Sequence, residues 1–188
     1  MFDNLDGLSR DDRLRYDTPE FAGFVLSSSL VDGGEWDIAI GYSTALAALE
    51  IEGKLGYANQ SATRTFPEFI VTGSLSIAHQ SGINASFAAG LGDDEDSARD
   101  AIDYRYAKLG YFKTLFPIGA SHFSLDFDEY DDSAASGDEG RTYGAQFVQE
   151  LERWGTEIYS GYRNYALDRP GASLEDIDAV LTGARIKF

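Results

Sequence analysis

The sequence predicts an all-β fold, an antiparallel sheet of about eleven strands, and three observations lead to this prediction. Apolar and polar residues alternate along most of the chain, which is the period of a strand with two different faces. The composition, with 12 Phe, 11 Tyr and 20 Gly but only 4 Pro, favours strands and tight turns over helices. Short and long connections also follow each other in turn, as they do in an up-and-down meander of strands.

Six alternating segments in the first half of the chain predict six strands. In the segment 35–42, Trp36, Ile38 and Ile40 alternate with acidic or small residues. In the segment 49–57, Glu50 and Lys54 lie on the face opposite to the apolar residues. The six predicted strands are 13–16, 21–30, 35–42, 49–57, 69–79 and 83–91.

The second half continues the same pattern and predicts five more strands. In the segment 102–112, we expect Ile102, Tyr104 and Tyr106 on the apolar face and Arg105 on the polar face. The last segment has one apolar face and one partly cationic face, and it ends on the aromatic residue Phe188. The five predicted strands are 102–112, 121–130, 141–151, 156–167 and 178–188.

Connections of two kinds alternate between these segments. The short ones are at 17–20, 43–45, 80–82, 113–119 and 152–155, and the longer polar ones are at 31–34, 58–65, 92–100, 131–140 and 168–177. Up-and-down membrane barrels have tight turns at one end and long loops at the other, and their tilted strands cross the bilayer with about 9–11 residues. The sequence therefore predicts an antiparallel transmembrane β-barrel, with lipid outside and water inside.

The charge and the missing residue types exclude several function classes. A net charge of −17, from 32 acidic and 15 basic residues, is the opposite of a nucleic-acid footprint. The chain has no Cys, which excludes disulfides and thiolate metal sites, and its two histidines, His79 and His122, are isolated from each other. Neither a G-x-S-x-G nucleophile motif nor a glycine-rich phosphate loop occurs. We therefore expect no enzyme activity, no cofactor and no bound metal.

Several phrases, taken in their order and spacing, point to one family. They are Asp6-Gly-Leu-Ser-Arg10, Arg13-Leu-Arg-Tyr-Asp-Thr-Pro19, Phe21-Ala-Gly-Phe24, Ala107-Lys-Leu-Gly-Tyr111, His122-Phe-Ser-Leu-Asp126, Gly161-Tyr-Arg-Asn-Tyr165 and Thr182-Gly-Ala-Arg-Ile-Lys-Phe188. With these phrases the chain resembles the Gram-negative bacterial outer-membrane porin family, of the sixteen-stranded trimeric type. The resemblance extends over nearly the whole chain.

The resemblance has consequences for the organisation of the chain. Bacterial barrels have an even number of strands and both ends in the periplasm, so an odd number of strands should precede residue 13 if the long loops are external. The resemblance implies that the eleven strands are strands six to sixteen, and that 1–188 is the C-terminal part of a porin barrel domain. It also implies that residues 1–11 are the end of the pore-constricting loop. We expect a signal peptide and five strands to precede them.

The function that the resemblance implies is passive diffusion. The chain would contribute to a water-filled channel for ions and small hydrophilic solutes in the bacterial outer membrane. Its partners would be outer-membrane lipid and lipopolysaccharide, the other copies of a homotrimer, and the barrel assembly machinery, which would read Phe188 as its signal. Two alternatives stay open: a structural or adhesive barrel that does not conduct, and a soluble β-sandwich binding module.

Candidate pore-lining residues are the charged residues of the polar phase. Arg13 and Arg15 are two residues apart and therefore share a face, opposite to Leu14 and Tyr16. The resemblance implies that this basic wall opposes acidic groups of the preceding loop, and that the resulting field sets ion preference. Further along, cationic side chains either line the lumen or pair with Asp103, Asp126 or Glu157, and we favour pairing for each one taken singly. The predicted pore-lining set is Arg13, Arg15, Asp6, Asp11, Asp12, Arg105, Arg163, Arg185 and Lys187.

Two further groups of residues have a predicted place rather than a predicted role. Acidic clusters at 93–96, 131–132 and 138–139 are interpreted as solvated loops, with cation bridges to lipopolysaccharide phosphates as the alternative. Aromatic residues near strand ends are predicted to form two interfacial girdles, whereas in a sandwich they would form the core. The predicted girdle residues are Tyr16, Tyr42, Tyr57, Phe112, Tyr130, Tyr143, Trp154 and Phe188.

Overall fold

The strands of the protein follow one another in a simple meander. The computed structural model describes residues 8, 12–60, 67–93, 100–132 and 135–187. Within these ranges lie eleven strands and one short 3₁₀ turn, Glu152–Trp154. The strands are β1 (Arg13–Asp17), β2 (Phe24–Val31), β3 (Trp36–Leu46), β4 (Leu49–Asn59), β5 (Phe69–His79), β6 (Ile83–Asp93), β7 (Ile102–Phe116), β8 (Gly119–Asp131), β9 (Glu139–Leu151), β10 (Thr156–Asp168) and β11 (Ile177–Ile186). The order of strands in the sheet is their order in the chain, and every pair is antiparallel.

This arrangement confirms the predicted all-β antiparallel fold and its number of strands. The central strands β3 to β6 have 11 residues each, and β8 to β10 have 13. The two edge strands, β1 and β11, each pair with a single neighbour among the described residues. The described sheet is therefore open, and its two edges carry backbone groups that form no ladder.

Short and long connections alternate as predicted from β3 onward, but at the start of the sheet the predicted short connection (18–23) is longer than the predicted long one (32–35). Two other short connections also differ from the prediction. β3 and β4 are joined by Ala47 and Ala48 alone, and Ala47 has the left-handed φ of 54° that such a turn requires. The predicted connection at 43–45 is therefore wrong, because these residues continue β3 and pair with β4. The predicted connection at 113–119 is also too long, because β7 resumes pairing at Phe116 after a register shift. In both places the cross-strand partners persist, so the ladder continues.

The turn between β5 and β6 requires a glycine. Gly82 has a φ of +96°, which other residues rarely adopt, and a Cβ at this position would overlap the carbonyl oxygen of Phe112. The amide of Phe112 donates a hydrogen bond of 3.0 Å to the Gly82 carbonyl. The glycine thus lets the β5–β6 turn dock directly on β7.

The register of the ladders separates the sheet into two faces, because directly paired residues of neighbouring strands project to the same side. We call one side the polar face; it carries Arg15, Ser29, Asp37, Lys54, Ser76, Lys108, Asp126 and Arg163. We call the other side the apolar face; it carries Leu14, Ile38, Ile40, Leu55, Phe87, Leu109, Leu125 and Val180. The predicted separation of the two phases is therefore present in ten strands.

The apolar face is uncovered. Leu125 is 61 % exposed and Val180 is 71 % exposed, although both lie in the middle of long strands. No second layer of described residues packs on this side, since the extensive contacts between strands are all between neighbours in the sheet. An apolar surface of this extent is far larger than the patches that soluble monomers expose.

A small apolar cluster lies on the polar face, near the long connections. It consists of Leu8, Val31, Ala58, Ile70 and Ile102, which are all buried. Leu8 packs at the long-connection ends of the strands that carry the other four residues. Apolar residues at these polar-phase positions are thus explained by a contact with Leu8.

In strand β7, the residues predicted for one face of the sheet lie on the other face. Tyr104 pairs with Tyr130 of β8, and Arg105 pairs with Glu129 and lies beside Phe127 on the apolar face. Ile102, Tyr104 and Tyr106 therefore face the polar side, and the predicted phase of β7 is wrong. The cause is the apolar cluster: Ile102 and Tyr104 bury their side chains there, so their apolar character does not mark the outward face.

Candidate functional site

The predicted arginine pair lies on the polar face, at the open edge of the sheet. Arg15 forms a salt bridge of 2.8 Å with Asp17 and donates a hydrogen bond of 3.2 Å to Ser27. Arg13 precedes it by two residues on the same face, opposite Val31. The predicted face is confirmed, but Arg15 is paired within its own strand. Of the acidic residues that were predicted to oppose this pair, Asp12 lies exposed just before β1, and Asp6 and Asp11 lie outside the described residues.

Arg163 is the centre of a polar network in the middle of the sheet. Its guanidinium contacts the carboxylates of Asp126 and Asp128, whose side chains are only 1 % and 6 % exposed. It crosses the intervening strand β9 at Gly144, where a Cβ would lie 3.2 Å from Arg163 Nε. Gln146 donates a further hydrogen bond of 3.1 Å to Asp126. Arg163 thus pairs with one of the three carboxylates that were predicted as partners of the cations, and the glycine on the strand between them leaves room for the contact.

Arg185 and Lys187 share a single carboxylate at the short-turn end of the sheet. Arg185 contacts Glu157 at 2.5 Å and Lys187 contacts it at 2.8 Å. The side chain of Glu157 is only 11 % exposed, whereas those of Arg185 and Lys187 are 64 % and 58 % exposed. All three lie on the polar face, as predicted. The remaining donor groups of both cations are therefore open to solvent.

Arg105 lies on the apolar face, contrary to the prediction that it lines a lumen. It contacts Asp103 at 3.2 Å and Glu129 at 3.8 Å, and Glu129 also binds Arg141 at 3.1 Å. These residues form a charged row at the long-connection end, above the apolar residues. Asp103 is one of the three carboxylates that were predicted as partners of the cations, whereas Glu129 and Arg141 were not predicted as partners because their pairing depends on the register of β7 to β9.

Aromatic side chains lie at both ends of the apolar face. Phe24 and Tyr42 are 4.5 Å apart at the short-turn end, and Trp36 contacts Tyr57 at 5.4 Å at the long-connection end. Tyr143 also lies on this face. These positions agree with two aromatic bands near the ends of the strands.

Two predicted girdle residues lie on the polar face instead. Phe112 stacks on His122 with ring centroids 5.8 Å apart, and Tyr130 stacks on Tyr104 at 5.9 Å. Trp154 is exposed in the 3₁₀ turn, and Phe188 lies outside the described residues. A girdle role for Phe112 and Tyr130 is therefore wrong, since both rings are used for contacts across the polar face.

The long connections are joined to one another by polar contacts. Asp138, before β9, forms a salt bridge with Arg169, which follows β10. This hydrogen-bonded arginine lowers the pKa of Asp138 below its ordinary value of 3.8. Ser136 accepts a hydrogen bond of 3.4 Å from the amide of Asp100. The solvated-loop interpretation is thus wrong for Asp138, whose side chain is 3 % exposed; residues 94–96 lie outside the described residues.

The described ranges contain no group of three or more His, Cys, Asp or Glu side chains that could hold a metal ion. None of the helical residues described belongs to a helix that is long and apolar enough to cross a membrane. Comparison with protein-family models and with curated proteins finds no match to this chain.

Proposed function

We propose that this chain forms wall strands of a bacterial outer-membrane porin, a β-barrel through which ions and small hydrophilic solutes diffuse passively. The observation that carries the proposal is the uncovered apolar face, which continues over all strands opposite a face of ion pairs and hydroxyl groups. A membrane barrel needs this combination, because lipid covers one face and water fills the other. The barrel assembly machinery, lipopolysaccharide and a homotrimeric partner belong to the same proposal.

The dimensions of the strands support it. An 11-residue strand is about 37 Å long, and a tilt of about 40° leaves about 28 Å across the membrane. The apolar band of outer-membrane barrels is about 25 Å tall. The aromatic bands at both ends of the apolar face fall where amphipathic rings prefer to lie, between hydrocarbon and headgroups.

The charged side chains support a channel that contains water. Arg15 and Arg185 keep more than half of their side-chain surface exposed. Removing such charged groups from water into a dry interior would cost much free energy. Charges along a water-filled pore set its ion preference and bias the passage of polar solutes. A closed wall also needs partners for the free edges of β1 and β11, because hydrocarbon does not tolerate unpaired backbone groups.

Planar bilayer recording tests the proposal. The full chain is refolded in detergent and added to one side of a lipid bilayer, with a detergent blank as the control. We expect stepwise conductance increases of uniform size. Insertion into vesicles without conductance steps would favour a barrel that does not conduct. A protein that stays monomeric in buffer without detergent would instead favour a soluble sandwich and overturn the proposal.

A further inference from the structure

A concave region with unusual charge lies at the short-turn end of the polar face. We call it the basal basin; it has a volume of about 400 Å³ and is lined by Lys108, Phe112, His122, Glu157, Arg185 and Lys187, among others. The lining residues come from strands β6 to β11 and from Lys187, which follows β11. Two larger hollows are lined mainly by apolar side chains; the first contains no charged residue, and in the second Arg105 is already paired with Asp103.

The basal basin has an excess of cationic groups, although the chain as a whole has a net charge of −17. Its cations are Lys108, Arg185 and Lys187, and its carboxylates are Glu150 and Glu157. Lys108 forms no ion pair with any residue that the structure describes. A locally positive region in an acidic chain needs a reason, because neighbouring carboxylates would otherwise neutralise it.

The donor groups in the basal basin exceed the acceptors that the chain supplies. A guanidinium has five N–H donors and an ammonium has three, whereas Glu157 offers each of them one oxygen, at 2.5 Å and 2.8 Å. Glu150 is directed to His122, with 3.3 Å between its Oε1 and the imidazole Nε2. The unused donors of Arg185 and Lys187 therefore face the open volume.

We propose that the basal basin binds the oxyanion group of a small organic solute, a carboxylate or a phosphate, through Arg185 and Lys187. This inference rests on the proposed channel for its biological sense, since the site would select anionic solutes among those that diffuse. Charge-assisted hydrogen bonds to oxyanions are the strong ones, and two adjacent cations supply them from two directions. The stacked rings of Phe112 and His122 give the carbon part of the solute an apolar surface to lie on.

Calorimetric titration with succinate tests the inference, and succinamide serves as its uncharged counterpart. The full chain is refolded in zwitterionic detergent micelles at low ionic strength. We expect saturable binding of succinate but not of succinamide. The double variant Arg185→Gln/Lys187→Gln should lower the affinity at least about tenfold, because both oxyanion donors are lost. The matched control is Lys113→Gln, which removes a cation from the same end of the sheet but from the apolar face, and should bind like the wild type.

A second variant keeps the test decisive if the double variant folds poorly. Glu157→Gln removes the carboxylate that competes for both cations, so it should raise the affinity for succinate several-fold. Absence of saturable binding by the wild type, or an unchanged affinity in Glu157→Gln, would overturn the inference. Conductance steps without succinate binding would overturn this inference alone, and succinate binding without conductance would overturn the proposed channel alone.

Discussion

Substitution of Leu125 by arginine tests whether the apolar face is in contact with lipid or with water. Leu125 is the middle residue of β8, it lies on the apolar face, and it is paired with Leu109 and Ala145. If this face is in contact with water, less than half of the Leu125 surface is buried, so the loss of this burial should cost roughly 1 kcal/mol or less. At the midplane of a bilayer, an arginine in a barrel strand costs about 2–4 kcal/mol. We expect the second magnitude.

The assay is a urea titration of the protein folded into phosphatidylcholine vesicles, followed by the fluorescence of its two tryptophans. The matched control is Ser124→Arg, one residue earlier on the same strand and on the polar face. This control should change the free energy of unfolding by no more than about 1 kcal/mol, because its side chain reaches water. Equal costs for the two substitutions would refute the reasoning, since the two faces would then have the same surroundings.

Three further predictions concern the polar face, the long connections and a turn. Arg163→Gln should lower the free energy of unfolding by about 3–5 kcal/mol, because the buried carboxylate of Asp126 would lose its cationic partner; a cost near that of an exposed pair, measured by urea titration, would contradict this. Because the folded-state pKa of Asp138 lies below its unfolded value of 3.8, its ion pair with Arg169 stabilises the long connections above that pH and is lost as pH falls through the lower pKa. Hydrogen exchange of residues 169–176 should therefore be faster in Asp138→Asn than in the wild type at neutral pH, and the two should become equal in acid; a difference that persists in acid would argue against the ion pair. Gly82→Ala should cost at least about 1–3 kcal/mol from backbone strain, with a further cost from the overlap with β7, and an unchanged urea midpoint would exclude this account of the turn.

Alternation was sufficient to predict the strands and most of their faces. A residue such as Ile38 has apolar residues two positions away on both sides, and this local period is independent of what the strand pairs with. For the same reason the polar phase correctly placed Arg15, Arg163 and Arg185 on one face. The ends of the strands were less predictable, because β3 and β7 continue for as long as their partner strands offer pairing.

Strand β7 marks the limit of this reasoning. Its Ile102 and Tyr104 are apolar because they cover a buried cluster with Leu8, a contact between distant parts of the chain. The local pattern therefore indicated the wrong face, and Lys108 was not recognised as a polar-face residue. The same dependence on register explains why Arg141 and Glu129 were not predicted as partners of the charged row.

The sequence by itself determined the fold class, the number of strands and the opposite character of two faces, because each of these follows from the spacing of side chains along an extended backbone. Only the tertiary structure decided which residues of β7 face each side, and which charges meet. Arg163 contacts Asp126 across Gly144, and Glu157 forms salt bridges with both Arg185 and Lys187. These contacts depend on the register between neighbouring strands, which is fixed by pairing along the whole sheet and not by any local pattern.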